Sequence, residues 1–152
     1  MGRGAIVILV MSILVRSVWA QTPDQVMLGA MGEVAGELQT CSVYFLVTSS
    51  CINPQRPDLG LAYRQEADRL GNLAISSGRA AGISDQAYLA RGNMYASAMM
   101  KAMSGNCTNI AVLLQRYSDF CVQLSQDADP RLKAWIACIR DRKETCGGPG
   151  LP

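Results

Sequence analysis

The segment CTNIAVLLQRYSDFC, from Cys107 to Cys121, has the pattern of a helix with a cysteine near each end. Fourteen residue steps along an α-helix cover about 21 Å, whereas a disulfide requires Cα atoms within about 7 Å. The two cysteines therefore cannot bond to each other. They share an apolar face with Ile110, Leu114 and Tyr117, at alternating spacings of three and four. Each must face a neighbouring helix, as a buried thiol, a thiolate metal ligand or a disulfide partner.

The amino terminus helps to choose among these three roles. In MGRGAIVILVMSILVRSVWAQ, Arg3 precedes an apolar run at 5–15 that contains one polar residue, Ser12, and Ala20 supplies a small residue for cleavage. This pattern predicts a secretory signal peptide at 1–20, although Arg16 lies unusually close to the cut. The apolar run is shorter than the roughly 20 residues that span a bilayer, which disfavours an uncleaved anchor. We therefore expect a periplasmic or secreted protein with no stable membrane anchor after cleavage.

Export to an oxidising compartment favours disulfides in a small protein. The mature part contains all six cysteines: Cys41, Cys51, Cys107, Cys121, Cys138 and Cys146. The chain has no C-x-x-C motif, the usual spacing of redox-active cysteines. It also lacks histidine, and no two cysteines have close zinc-ligand spacing. The sequence therefore predicts three structural disulfides and no metal site at the cysteines.

The pairing of these cysteines depends on how the helices fold back. Cys121 and Cys138 lie at similar distances from the turn DADP at 127–130, so a helical hairpin predicts a Cys121–Cys138 bond. Two arrangements remain open for the other four: Cys51–Cys107 with Cys41–Cys146, or Cys41–Cys51 with Cys107–Cys146.

Helical periodicity covers most of the mature chain. The predicted helices span 26–47, 58 to 79 or 81, 85–103, a segment capped by Asn106 or Thr108 that ends at about 126, and 131–143. Prolines and glycines separate them, Ser84 or Asp85 is a candidate cap for the third, and no alternating strand pattern occurs. The predicted fold is all-α: an antiparallel helical bundle of four main helices plus a short fifth, stapled by disulfides. It forms a single domain at 21–152, with a flexible tail from about 146.

The net charge of the predicted mature chain disfavours nucleic acid as a partner. The chain has 14 Lys plus Arg and 12 Asp plus Glu, and removing Arg3 and Arg16 with the signal peptide leaves 12 of each. A neutral protein lacks the electrostatic footprint of nucleic-acid binding. The basic segment 131–143 is interpreted as the solvated face of a helix.

Known catalytic motifs are missing from the sequence. Without histidine, neither a Ser-His-Asp nor a Cys-His site can form, and no G-x-S-x-G or S-x-x-K motif occurs. Two acidic pairs, Glu33 with Glu37 and Glu66 with Asp68, could suggest a carboxylate site. A di-metal bundle site would also need E-x-x-H motifs. We therefore interpret both pairs as solvated helix surface.

Methionine is abundant in pairs one helical turn apart. Met27 with Met31 and Met99 with Met103 are candidate Cu(I) ligands, because exported thioether clusters can bind Cu(I). The same spacing is typical of a core in which methionine fills gaps, and this is the favoured interpretation. A methionine-lined groove for a partner peptide is a third hypothesis.

These observations favour a small exported, non-catalytic protein that binds another macromolecule, as an inhibitor, immunity or accessory protein. The expected partner is a protein of the exported compartment, and no cofactor is expected. The resemblance to immunity proteins and inhibitors is one of architecture only, and architecture does not determine function. The alternatives are a periplasmic carrier of a small ligand or Cu(I), and an enzyme with an unrecognised carboxylate site. The sequence predicts no oligomeric state.

Overall fold

The computed structural model describes residues 22–143 and Cys146. The described part contains five α-helices and no strand, which confirms the all-α prediction. The helices are α1 (Pro23–Ile52), α2 (Pro57–Ala80), α3 (Asp85–Ala102), α4 (Ala111–Gln126) and α5 (Asp129–Arg140). The predicted signal peptide and most of the predicted tail, at 147–152, lie outside the described residues.

Helix α1 is the longest element, and every other helix contacts it. Its 30 residues correspond to about 45 Å. It begins earlier than periodicity predicts, because Thr22 and Gln25 form a capping box and Pro23 occupies the first turn. It also ends later. Ser49 and Ser50 do not break it, because their hydroxyls donate to the carbonyls of Gly60 and Leu46.

Helices α1 and α2 form a close antiparallel pair. The Ser49 hydroxyl donates to the Gly60 carbonyl at 2.8 Å, and the Ser42 hydroxyl donates to the Ala67 carbonyl at 2.7 Å. Two turns of helix separate these contacts on both helices, in opposite directions. A Cβ atom at Gly60 would lie 2.8 Å from the Asn53 backbone. Glycine is therefore required where the two helices meet.

Helix α3 starts where sequence predicted, at a cap formed by the Ser84 hydroxyl, which accepts the Ala87 N–H. The Gln39 side chain of α1 donates to the Tyr88 carbonyl at 2.6 Å. The Tyr88 hydroxyl in turn donates to the Gly71 carbonyl of α2 at 3.3 Å. These two hydrogen bonds fix the first half of α3 over the α1–α2 pair.

The predicted Cys121–Cys138 bond is wrong. The three disulfides are Cys41–Cys121, Cys51–Cys107 and Cys138–Cys146. Helices α4 and α5 each pack against α1, while their own backbones hardly approach each other. The cysteine of α4 therefore meets α1 instead of α5.

One of the other pairings considered from sequence, Cys51–Cys107, is present. Cys41–Cys146 and Cys41–Cys51 are not formed, because Cys41 bonds to Cys121. Cys107–Cys146 is not formed either, since Cys146 closes a short loop with Cys138. Cys107 also lies in a 3₁₀ turn, Cys107–Asn109, ahead of α4 rather than within it. The predicted start of the fourth helix was thus a few residues early.

Three disulfides in a chain of this size indicate an oxidising, extracellular-type compartment. Within the described part of the chain, no helix combines the length and the apolarity needed to cross a bilayer.

Tyr44 lies in the core, about one helical turn after Cys41. It is 1% exposed, and its ring centroid is 5.9 Å from that of Tyr117. Burial raises the pKa of Tyr44 above its ordinary value, because desolvation of the phenolate outweighs the opposing hydrogen bond with Ser118. The folded protein therefore keeps this proton at a pH where the unfolded chain has lost it.

Alkaline pH should consequently destabilise the protein. The stabilisation by protonated Tyr44 is complete below about pH 10 and is lost as pH rises through the folded pKa. Denaturant titrations from neutral pH to above about pH 10 should show the free energy of unfolding falling, and Tyr44→Phe should flatten this fall. Burial also raises the pKa of Tyr88, so some slope should remain. An unchanged slope in Tyr44→Phe would contradict this explanation.

Candidate functional site

The outward side of α3 exposes large apolar side chains. Leu89, Met94 and Met100 are 66%, 59% and 40% exposed, whereas Met99 is the one residue within α3 that is fully buried. Leu89 and Met100 are 11 residues apart, about three turns, and so follow one line along the helix. Met94 lies on the other flank, next to the small exposed residues Ala90 and Ala98. We call these five residues the α3 face.

The charges on α3 are of one sign beyond its first residue. Asp85 forms an ion pair with Arg79 at 2.7 Å. From Gln86 onward, the charged residues of the helix are Arg91 and Lys101. Arg91 is half-buried and Lys101 is exposed at the end of the helix. The outward side of α3 therefore combines these exposed apolar side chains with the exposed polar residues Gln86, Asn93 and Ser97 and with the positive charge of Lys101.

Glu37 corrects one interpretation made from sequence. The exposed Glu33 fits a solvated helix surface, but Glu37 is only 3% exposed. Arg131 of α5 donates two hydrogen bonds to its carboxylate, and the Trp135 indole N–H donates a third at 3.0 Å. Glu37 and Glu33 therefore do not form a paired carboxylate site. Glu37 instead anchors α5 to α1.

The Arg131 guanidinium, which binds Glu37, also lies close to two aromatic rings. Its guanidinium lies 5.7 Å from the ring centroids of both Phe120 and Trp135. Hydrogen bonding to Glu37 raises the pKa of Arg131 further above its ordinary value. The interpretation of 131–143 as a solvated basic face is therefore wrong at Arg131, although Lys133 and Arg140 are exposed.

The second acidic pair, Glu66 with Asp68, does not form a joint site either. Glu66 bonds to Arg69, and Asp68 lies 3.9 Å from Arg64. These carboxylates belong to two different ion pairs on α2. They do not converge on a common site.

The four candidate copper ligands do not come together. Met99 and Met103 are buried in the core, where they fill space. Met103 lies close to Cys107, whose bond to Cys51 places it at the far end of α1. Met31 is 20 residues from Cys51, about 30 Å along the helix. Among the described residues, no group of three or more His, Cys, Asp or Glu is arranged to hold a metal.

Met31 lines an apolar cavity of about 210 Å³ between α1, α2 and α5, which we call the α1–α2–α5 cavity. Its polar lining residues are Ser77 and Asp129. The remaining lining residues are apolar: Met31, Val34, Leu38, Leu73, Ala128 and Leu132. This composition, mostly apolar with a few polar groups, is typical of small-molecule sites.

Comparisons of the chain with protein-family models, with curated proteins and with solved structures find no match. Function must therefore be inferred from the surfaces of the chain itself. Among the described residues, the α3 face and the α1–α2–α5 cavity have a chemistry that suggests a ligand.

Proposed function

We propose that this is an exported, non-catalytic protein that binds another protein through the α3 face. The observation that carries this proposal is the exposure of Leu89, Met94 and Met100 on a helix that buries little of itself. Apolar side chains grouped on one exposed helix are characteristic of interaction surfaces. An inhibitor, immunity protein or accessory factor would use such a surface.

The scaffold suits this role. The proposal takes the chain to be exported by a signal peptide at 1–20 and to act in the periplasm or as a secreted protein. It also takes the helices to form an antiparallel bundle of four main helices and a short fifth, with α1 at the centre. Disulfides that hold α1 to the α4 region would keep the α3 face rigid before binding. A rigid surface loses less conformational entropy on association.

The partner surface should be an amphipathic helix with acidic groups beside its apolar stripe. Leu89 and Met100 span about 16 Å, a length that a partner helix of three to four turns can cover. Lys101, exposed at the end of the helix, would favour acidic side chains near that end of the contact and disfavour basic ones. The small side chains Ala90 and Ala98 permit close approach of a second helix.

The absence of catalysis is part of the proposal. Both Glu37 oxygens are occupied by hydrogen bonds within the protein. Glu33 is exposed, whereas Glu37, the other acid of the sequence pair, is buried. This arrangement supports a binding role over an enzyme built on these acids.

The α3 face can be tested with Leu89→Glu and a matched control, Val122→Glu. Val122 is 42% exposed on α4, so a glutamate there adds the same charge to another exposed apolar position. A partner recovered with the wild-type protein should bind Leu89→Glu at least about tenfold more weakly, which corresponds to about 1.4 kcal/mol. Titration of the purified partner against each variant measures this difference.

The control should bind like the wild type, and both variants should unfold at the same denaturant concentration. Equal binding by Leu89→Glu and the wild type would exclude the α3 face as the contact. Equal weakening by both variants would point to a charge effect that is independent of this surface.

A further inference from the structure

We propose that the α1–α2–α5 cavity binds a small cationic amphiphile, such as a short alkylamine. This site is separate from the α3 face, because no residue of α3 lines the cavity. The apolar part of the ligand would lie among side chains from three helices. Met31, Leu38 and Leu73 are among them.

The volume sets the size of the ligand. A buried apolar cavity of about 150 Å³ accepts benzene, which has six heavy atoms. At the same density, a cavity of about 210 Å³ holds roughly eight heavy atoms. A six-carbon chain with one polar head group fits within this volume.

The negative charge at the edge of the cavity determines the charge of the ligand head group that it favours. Asp129 lines the cavity at the start of α5 and is exposed. None of the ion pairs between described residues includes Asp129. The nearby Arg131 is committed to Glu37. An exposed carboxylate that forms no ion pair with a described residue, beside an apolar cavity, favours an ammonium group over a neutral or anionic one.

The remaining lining fits the same ligand. Ser77 contributes a hydroxyl that can accept a hydrogen bond from an ammonium group. Met31 is half-buried, and its unbranched thioether can adjust to chains of different shape. One methionine of the predicted copper pairs would thus serve a small-molecule site without any metal.

The experiment is an NMR titration of the oxidised protein with n-hexylammonium chloride, n-hexanol and sodium hexanoate as separate probes. Hexylammonium should shift the amide signals of Leu73, Ser77 and Leu132 in a saturable manner. Hexanol should bind more weakly by about threefold, the range of a partly exposed charge pair, and hexanoate more weakly still. Asp129→Asn should reduce the affinity for hexylammonium to that for hexanol.

Two further variants make the result decisive. Glu33→Gln removes an exposed charge from α1 without touching the cavity lining and should leave all three affinities unchanged. Ser77→Leu places a larger side chain in the cavity and should abolish binding of all three probes while the amide spectrum remains folded. The proposal is overturned if hexanol binds as tightly as hexylammonium, if binding survives Ser77→Leu, or if no probe shifts the cavity signals.

Discussion

Replacing Cys41 and Cys121 together by alanine should lower the free energy of unfolding by about 5 kcal/mol. The two cysteines are 80 residues apart, and closing a loop of that length restricts the unfolded chain by about 4.5 kcal/mol. Both residues are fully buried where α1 meets α4, so alanine also leaves unfilled space in the core. Urea or guanidinium denaturation followed by circular dichroism measures the loss.

The Cys138–Cys146 pair is the matched control. It spans only 8 residues, for which the same entropy corresponds to about 2.5 kcal/mol. Cys146 is also half-exposed. Alanine at both positions should therefore cost clearly less than the loss of Cys41–Cys121. A control that costs as much would contradict the assignment of the central staple to α1 and α4.

Replacing Glu37 by alanine should cost about 3 kcal/mol and loosen α5 from α1. Removing one partner of a buried ion pair leaves the other charge uncompensated, which typically costs about 3 to 5 kcal/mol. The Arg131 side chain is 22% exposed and can turn partly towards water, so the lower end of that range applies. Trp135 would also lose the acceptor of its indole N–H.

Trp135 reports this change directly, because the other tryptophan, Trp19, lies within the predicted signal peptide. Its fluorescence should shift towards that of a solvated indole in Glu37→Ala before global unfolding begins. The double variant Glu37→Leu with Arg131→Met removes both charges and should recover most of the stability. If Glu37→Ala costs less than about 1 kcal/mol, the range for an exposed ion pair, the anchoring role of this pair is wrong.

The helices were predictable because their apolar residues repeat with helical period. The ends of α1 were less so. Thr22 and Gln25 form a reciprocal cap that periodicity does not detect, and the serines at 49 and 50 bond to carbonyls within or beside the helix. A serine that satisfies its hydroxyl in this way does not terminate a helix, although in a sequence it resembles a break.

The disulfide pairing depended on tertiary packing. Symmetry about the turn at 127–130 predicted that Cys121 faces Cys138, but this holds only if α4 and α5 pack on each other along their length. Instead, both pack on α1, and Cys121 meets Cys41. The spacing of residues along one helix predicts which face a cysteine side chain lies on. Its disulfide partner depends on which other helix packs against that face.

The candidate sites were only partly visible in the sequence. Glu37 lies four residues before Cys41, close to the apolar seam of α1, and Arg131 and Trp135 are one turn apart on α5. This combination indicates that Glu37 is a buried acid paired with a cation. The absence of metal-binding motifs led instead to its interpretation as solvated surface. The α3 face was harder to predict, because α3 is apolar or small on several sides. Which side is exposed depends on how Tyr88 and Met99 contact the other helices.

The most direct test of the binding proposal is site-specific photo-crosslinking in the exported fraction, with a photoreactive side chain at Leu89 and, separately, at Val122. We predict that Leu89 crosslinks to one protein, at a segment that forms an amphipathic helix with acidic residues beside its apolar stripe, and that Val122 does not. Crosslinks of equal yield at both positions, a crosslink only to a second copy of this chain, or no crosslink at Leu89 would contradict it.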